Sequence, residues 1–361
     1  VSVTEETAQL FDSPDLVRFG TRILTALGVP GDDARLVSDS LVTADMWTHA
    51  SHGMLRLPWY AARLRSGAMS AVTDTRVVVD TGALGVLDGR DGIGQVITSI
   101  ACQDAVRRAE RHGVGVVAVR NSNHFGTAAY WTKRMALAGC VGILTTNSSP
   151  AMAPWGGKAK TVGANPWSVA APGGSHDPVV LDISNTNVAR GKVYSALQKN
   201  QEIPAGWAID RDGKPTTDPQ AALDGIMLPV GEHKGYGISF MMDILSGVLT
   251  GSSSATDVVG PYVSDQRSGC GHLVIALKVD TIAGDDMFAE RIDSLIKTTK
   301  SVPLAHGVSE IFYPGEIEAR AEKVAASQGV ILPSKTVDDL RKLAASCAVE
   351  FDLKPRAAAC A

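Results

Sequence analysis

The segment Ser51-His52-Gly53-Met54-Leu55-Arg56 sets an imidazole four residues ahead of a guanidinium. On a helix, residues four apart share a face, so His52 and Arg56 are expected side by side near a helix start. A guanidinium grips a carboxylate through two parallel hydrogen bonds, and an imidazole passes a proton to or from a neighbouring oxygen. A hydrogen bond from Ser51 would fix the tautomer of the ring. The trio suits proton transfer on a small acid held by its carboxylate. The plain alternative is a serine helix cap followed by a surface His and Arg.

Other polar segments fall at the ends of apolar runs. Asn121-Ser122-Asn123-His124-Phe125-Gly126-Thr127 follows the run 114–119 and precedes a helical stretch. In α/β folds that crevice, at a strand's carboxyl end beside a helix N-terminus, holds ligands and anions. His124 is a second acid/base candidate there, and the Gly126 and Thr127 amides suit a phosphate; an Asn-rich turn capping a helix is the alternative. Thr145-Thr146-Asn147-Ser148-Ser149-Pro150, Trp155-Gly156-Gly157 and Gly163-Ala164-Asn165-Pro166 can supply amides and hydroxyls to a cofactor. Lys158 and Lys160 either meet a phosphate or are solvated, and Asp182 in Leu181-Asp182-Ile183-Ser184 suits ribose hydroxyls or a simple cap.

Two further segments carry cations. Asn187-Val188-Ala189-Arg190-Gly191-Lys192 places two beside a glycine, and Glu232-His233-Lys234-Gly235 opens an apolar helical run. Acidic residues are preferred at helix starts, so His233 and Lys234 point to an anion in front of them. His49, His112, His176, His272 and His306 have no metal-ligand spacing, which disfavours a metal centre. Gly113-Val114-Gly115-Val116-Val117-Ala118 matches a dinucleotide fingerprint in letters only, because its glycines follow a helix and open a strand. Gly92-Ile93-Gly94-Gln95 lacks the third glycine and the later acidic residue. A dinucleotide would have to be held by a fold other than the Rossmann fold.

The elements that must position these groups read as helices, then a glycine-rich α/β body, then helices. Helical runs begin at Ser13-Pro14-Asp15 and Gly31-Asp32-Asp33, and a third spans 51–65. Strands are expected at 76–80, 114–119, 141–146, 167–171, 179–182 and 273–279, with helices at 95–111, 127–137 and 234–249. Residues 251–271 read as loop and the tail 357–361 as frayed.

The 361 residues allow a large core, and the 36 glycines imply many turns and close backbone approaches. A net charge of -4, without basic runs interleaved with aromatics, gives no nucleic-acid footprint. Five scattered cysteines (Cys102, Cys140, Cys270, Cys347, Cys360) fit reduced thiols rather than a disulfide framework. No apolar run approaches the ~18 residues that span a bilayer, so a cytoplasmic protein with no membrane partner is expected.

Taken together, Ser51-His52-Gly53 with Arg56, Asn123-His124-Phe125-Gly126, Thr146-Asn147-Ser148-Ser149-Pro150, Gly163-Ala164-Asn165-Pro166, Leu181-Asp182-Ile183-Ser184, Ala189-Arg190-Gly191-Lys192, His233-Lys234-Gly235 and Tyr313-Pro314-Gly315-Glu316 resemble, in order, the malate/L-lactate dehydrogenase family. This family includes sulfolactate, ureidoglycolate and 2,3-diketogulonate oxidoreductases and Δ1-piperideine-2-carboxylate reductases, and is separate from the Rossmann-type lactate and malate dehydrogenases.

The resemblance implies a non-Rossmann α/β fold with a large mixed sheet. An NAD(P)-binding domain (76–272) would be inserted between helical segments 1–75 and 273–361, which form the substrate and dimerisation part of a homodimer. It implies interconversion of a 2-oxo acid and a 2-hydroxy acid with NAD or NADP, His52 exchanging the proton with help from Ser51. Arg56 would hold the carboxylate, with Arg190, Gly191 and Lys192 also on the substrate side. His124 would lie by the nicotinamide, the remaining cofactor contacts being Phe125, Gly126, Thr127, Ala128, Ser148, Asp182, Ile183, Ser184, His233, Lys234, Pro314 and Gly315. Reduction of cyclic or N-alkyl imino acids is a second reading, lowered by Lys192 where imine reductases typically carry an acidic residue. A non-catalytic cofactor-binding protein is a third. Trp155 and Trp167 are bulkier than the family pattern leads one to expect.

Overall fold

A computed structural model describes residues 8–198 and 200–356, apart from the side chains of residues 190, 191, 195 and 198. The expected frayed tail lies outside the described residues. The chain opens with β1 (Gln9–Phe11), α1 (Ser13–Ala26) and α2 (Gly31–Met46), two single 3-10 turns (Ala50–His52, Met54–Arg56) and α3 (Leu57–Ser66). The body follows: β2 (Arg76–Asp80), β3 (Leu84–Asp88), α4 (Gly94–His112), β4 (Val114–Ser122), α5 (Ala129–Leu137), β5 (Cys140–Thr146), the short β6 (Pro150–Met152) and β7 (Val162–Gly163), β8 (Trp167–Ala171) and β9 (Val179–Ile183). An excursion holds α6 (Arg190–Gln198), β10 (Ala208–Ile209), β11 (Pro215–Thr216), α7 (Pro219–Asp224) and β12 (Ile226–Met227), around a small core that includes Val193, Ile203 and Leu223. Then come α8 (His233–Asp243), which runs on as a π-helical turn to Val248, β13 (Cys270–Lys278), α9 (Val279–Ala283), α10 (Asp285–Lys300), α11 (Glu316–Gln328), β14 (Val330–Leu332) and α12 (Ser334–Ser346).

The main sheet has the order β2-β3-β4-β13-β5-β8-β9. Only β3 and β4 run parallel, joined through α4, so the sheet is mixed as the resemblance implies. Apolar β13 is the central strand, pairing with β4 on one side and β5 on the other. The boundary expected between 272 and 273 therefore falls inside a strand of this sheet. The fingerprint-like glycines have packing roles: Gly113 ends α4 in the left-handed region, and a Cβ on Gly115 would stand 1.9 Å from the Ala105 carbonyl oxygen.

The chain's two ends meet in a second core. Strands β1 and β14 pair antiparallel, and α12 packs on α3. Leu16, Phe19 and Ile23 of α1 interlock there with Leu41, Leu57 and Leu340. Each such fully buried side chain contributes about 1.5–3 kcal/mol relative to exposure. This helical layer carries the residues 51–56 up to the carboxyl end of β4.

Candidate active site

His52 and Arg56 do not lie on one α-helix. Gly53 interrupts the run with an extended conformation, and the two side chains belong to successive 3-10 turns. The cause is Asp45 near the end of α2. Its Oδ2 accepts the Met54 N–H at 2.7 Å, and a Cβ on Gly53 would stand 1.9 Å from its Oδ1. Only glycine fits there, and the amide that would continue a helix is taken by the carboxyl. Burial pushes the Asp45 carboxyl up to about 7, with the Met54 N–H pulling the other way.

The turn still brings the expected groups together. Ser51 Oγ and His52 Nδ1 are 2.9 Å apart, which leaves Nε2 for the substrate side. Arg56 Nε donates to the Ser51 carbonyl at 2.6 Å, and the guanidinium lies 4.1 Å over the Trp59 ring. Among the described residues no hydrogen bond engages the two Nη groups of Arg56. The His52 ring stacks on His124 at 5.6 Å and 16°. Burial, then the charges of Arg56 and His49, lower the His52 pKa to about 3, so the ring is neutral at physiological pH.

His124 sits just past β4, whose end is fixed by buried Arg63. Arg63 Nη2 donates to Asn123 Oδ1 at 3.0 Å, and Asn123 Nδ2 donates to the Gly92 carbonyl at 2.9 Å. Gly94 backs the loop so closely that a Cβ would stand 2.4 Å from the His124 carbonyl oxygen. The Gly126 N–H donates to His124 Nδ1 at 3.3 Å, and Tyr60 Oη approaches the same nitrogen at 2.7 Å. An atom that accepts an N–H carries no proton of its own, so the neutral ring bears its hydrogen on Nε2. Burial first, then the charges of His52 and Arg56, hold His124 well below the ordinary histidine range. Phe125 packs edge-on against buried His272, and Ala128 is buried.

The same loop leads into a cavity of about 360 Å³, inside the roughly 300–1,000 Å³ range of small-molecule sites. Asp182 from the end of β9 lines it, with Trp47, Val180, Phe312, Pro314 and Gly315. Asp182 Oδ2 accepts the Thr127 hydroxyl at 2.9 Å and the Ala129 N–H at 2.7 Å, which fastens the cavity to the His124 loop. Burial pushes this carboxyl up, and the Ala129 and Thr127 hydrogen bonds pull it down. The Val180 N–H donates to the Pro314 carbonyl at 2.9 Å, closing one wall.

Not every expected residue reaches these groups. Ser148 is bound to Asn165, whose Oδ1 accepts the Ser148 N–H at 2.9 Å. Ile183 ends β9, and exposed Ser184 pairs with the Thr186 hydroxyl at 3.1 Å. His233 and Lys234 begin α8 in exposed positions, and His233 faces exposed Trp155 edge-on at 6.3 Å. Lys192 is exposed on α6; Gly191 lies in the first turn of that helix, and the side chain of Arg190 lies outside the described residues. Tyr60, Asp45, His49 and Glu318 were not singled out from sequence. Tyr60 follows His52 by eight residues, a spacing that alone gives no signal. Among the described residues, no three His, Cys, Asp or Glu side chains cluster to hold a metal, and no helix is long and apolar enough to cross a membrane.

A mixed-sheet α/β body with a paired imidazole and guanidinium at the end of β4 places the chain in a known class. It belongs to the malate/L-lactate dehydrogenase family, whose model matches residues 11–341. The L-sulfolactate dehydrogenase of Methanocaldococcus jannaschii is 39% identical over 89% of this chain and 92% of its own length. The solved structure of sulfolactate dehydrogenase from that organism superposes with a TM-score of 0.90 at 36% identity, covering 94% of this chain and 98% of its own. The (2R)-3-sulfolactate dehydrogenase (NADP(+)) of Chromohalobacter salexigens is 36% identical over 90% of this chain and 94% of its own length. The ureidoglycolate dehydrogenase (NAD(+)) of Escherichia coli is 31% identical over 88% and 89%.

Proposed function

We propose that the protein is an NAD(P)-dependent oxidoreductase that interconverts a small 2-oxo acid and the matching 2-hydroxy acid. The observation that carries this reading is an Arg56 fork with both Nη groups uncommitted, beside a neutral imidazole whose Nε2 is open. A site that needs to orient a carboxylate and exchange one proton at the adjacent oxygen requires those two groups and little else. The cavity fits the adenosine half of a dinucleotide: apolar faces at Trp47, Val180 and Phe312 flank a carboxylate able to accept ribose hydroxyls. The chemistry that a bound nicotinamide supplies is hydride exchange at C2 of the acid.

Arg56 holds the substrate carboxylate through two parallel charge-assisted hydrogen bonds. In oxidation, neutral His52 accepts the hydroxyl proton on Nε2 while Ser51 steadies Nδ1. In reduction, protonated His52 returns that proton to the C2 oxygen. Bringing a carboxylate onto Arg56 offsets one of the two charges that depress His52, so substrate binding prepares the imidazole for the acid role. His124 presents a neutral Nε2–H donor next to this pair. The exposed apolar side chains Phe240, Met241, Val248 and Leu249, on α8 and its continuation, support a homodimer through this face.

The test is NADH and NADPH oxidation against a panel of 2-oxo acids, with and without methylamine. Turnover without amine is expected. Turnover only with amine would move the protein to imine reduction, and nucleotide binding without any turnover to a non-catalytic role.

A further inference from the structure

The cavity beside Asp182 is acidic. Asp177, Asp182 and Glu318 line it, with Lys133 and His49. Lys133 Nζ lies 2.6 Å from Glu322 Oε2, Asp177 Oδ2 lies 2.7 Å from Lys323 Nζ, and His49 Nε2 lies 3.5 Å from Glu318 Oε1. Asp182 occupies the place that an anion would take at the head of α5, accepting the Ala129 N–H and the Thr127 hydroxyl. A helix N-terminus attracts a phosphate, and here the chain's own carboxylate fills it. Lys158 and Lys160, which the sequence offered to a phosphate, are not among the lining residues.

We infer that this cavity selects an adenosine ribose with a free 2′-hydroxyl, so that the protein takes NAD in preference to NADP. Asp182 is the selecting residue and Glu318 reinforces it. A ribose 2′-hydroxyl donates to a carboxylate and gains a partner, whereas a 2′-phosphate has no such donor and brings about 1.5–2 negative charges against an acidic wall. The inference rests on the NAD(P) reading of the site given above, and narrows it.

The test is direct binding of ADP-ribose and 2′-phospho-ADP-ribose to the full chain by titration calorimetry, with NADH and NADPH followed in parallel by nicotinamide fluorescence. At least tenfold tighter binding of the unphosphorylated member of each pair is expected. Asp182→Ser should reduce that gap at least fivefold. Because Asp182 also caps α5, Glu318→Gln serves as a second variant, expected to reduce the gap about threefold with an unchanged circular dichroism spectrum. Equal affinities, or tighter binding of the phosphorylated probes, overturn the selection while leaving the dehydrogenase reading intact. An undiminished gap in both variants overturns the roles given to Asp182 and Glu318. If none of the four probes binds, the NAD(P) reading itself fails and the selection fails with it.

Discussion

Replacing Asp45 with Asn isolates what it costs to bury the carboxyl that shapes the turn 51–56. Burial carries its pKa from 3.8 up to about 7. At about 1.4 kcal/mol per pH unit, the ionised form is penalised in the folded chain by about 4 kcal/mol, as an order of magnitude. Below about pH 4 the carboxyl is protonated whether the chain is folded or not, and the penalty vanishes. Between pH 4 and 7 the unfolded chain ionises first and the penalty grows; above 7 it is complete. Asn is neutral throughout, and its side-chain oxygen can still accept the Met54 N–H. Asp45→Asn should therefore be more stable than the parent at pH 8, by up to about 4 kcal/mol, and nearly equal to it at pH 4. An unfolding entropy of about 2.1 cal/mol/K per residue converts that gain to a Tm rise of roughly 5 °C for a chain of this length. Scanning calorimetry of both proteins from pH 4 to 8 reads it, and the difference cancels the other titrating groups. A Tm at pH 8 below that of the parent, or a difference that does not change with pH, would refute the reasoning. The first would mean that the ionised carboxyl contributes more through its hydrogen bond than burial takes away, and the second that the two balance.

His52→Ala should lower kcat by about 10²–10⁴ while NADH affinity, read by fluorescence, changes less than about twofold. Arg56→Ala should raise the oxo acid Kd at least about tenfold through loss of charge-assisted hydrogen bonds worth about 1.5–3 kcal/mol each; unchanged affinity would remove Arg56 from the carboxylate site. Tyr60→Phe takes the nearer partner from His124 Nδ1. Leaving that buried acceptor short costs about 1–3 kcal/mol of folding stability, so Tm should fall by roughly 1–4 °C, and an unchanged Tm would contradict the hydrogen bond to His124. Binding of a 2-oxo acid near pH 4 should take up protons as the carboxylate offsets Arg56 and lifts His52 from about 3. Calorimetry in buffers of differing ionisation enthalpy measures this, and zero uptake contradicts the coupling.

Much of the scaffold is legible in the chain's periodicity. The β-branched run 76–80, the apolar runs that became β4, β5 and β8, and the amphipathic pattern of α2 all stand where local pattern puts them, because each is decided by side chains within the element. The run 51–65 is different. Its helical pattern is overridden by Asp45, a residue on another element, and no local signal reports that Gly53 will be pressed against it. The position of β13 between β4 and β5 is likewise a property of the whole sheet, invisible in a run that reads only as apolar.

The residues of the candidate site divide along the same line. Ser51, His52, Arg56 and His124 are recognisable because their chemistry is unusual for a turn, and the fold does gather them. Tyr60 and Arg63 were hidden on α3, where their spacing matches ordinary packing, although one touches His124 and the other fixes Asn123. Asp182 was legible as a choice between a ribose partner and a helix cap. The structure shows the cap, and the acidic cavity around it supplies the reason to assign the other role as well.

The most direct test of the central claim follows the transferred hydrogen. Reduction of a 2-oxo acid with NADH carrying deuterium at both C4 positions, with the product examined by mass spectrometry and proton NMR, should give a 2-hydroxy acid carrying deuterium on C2. A product with protium at C2, or deuterium at another carbon, would contradict hydride exchange next to the carboxylate that Arg56 is positioned to hold.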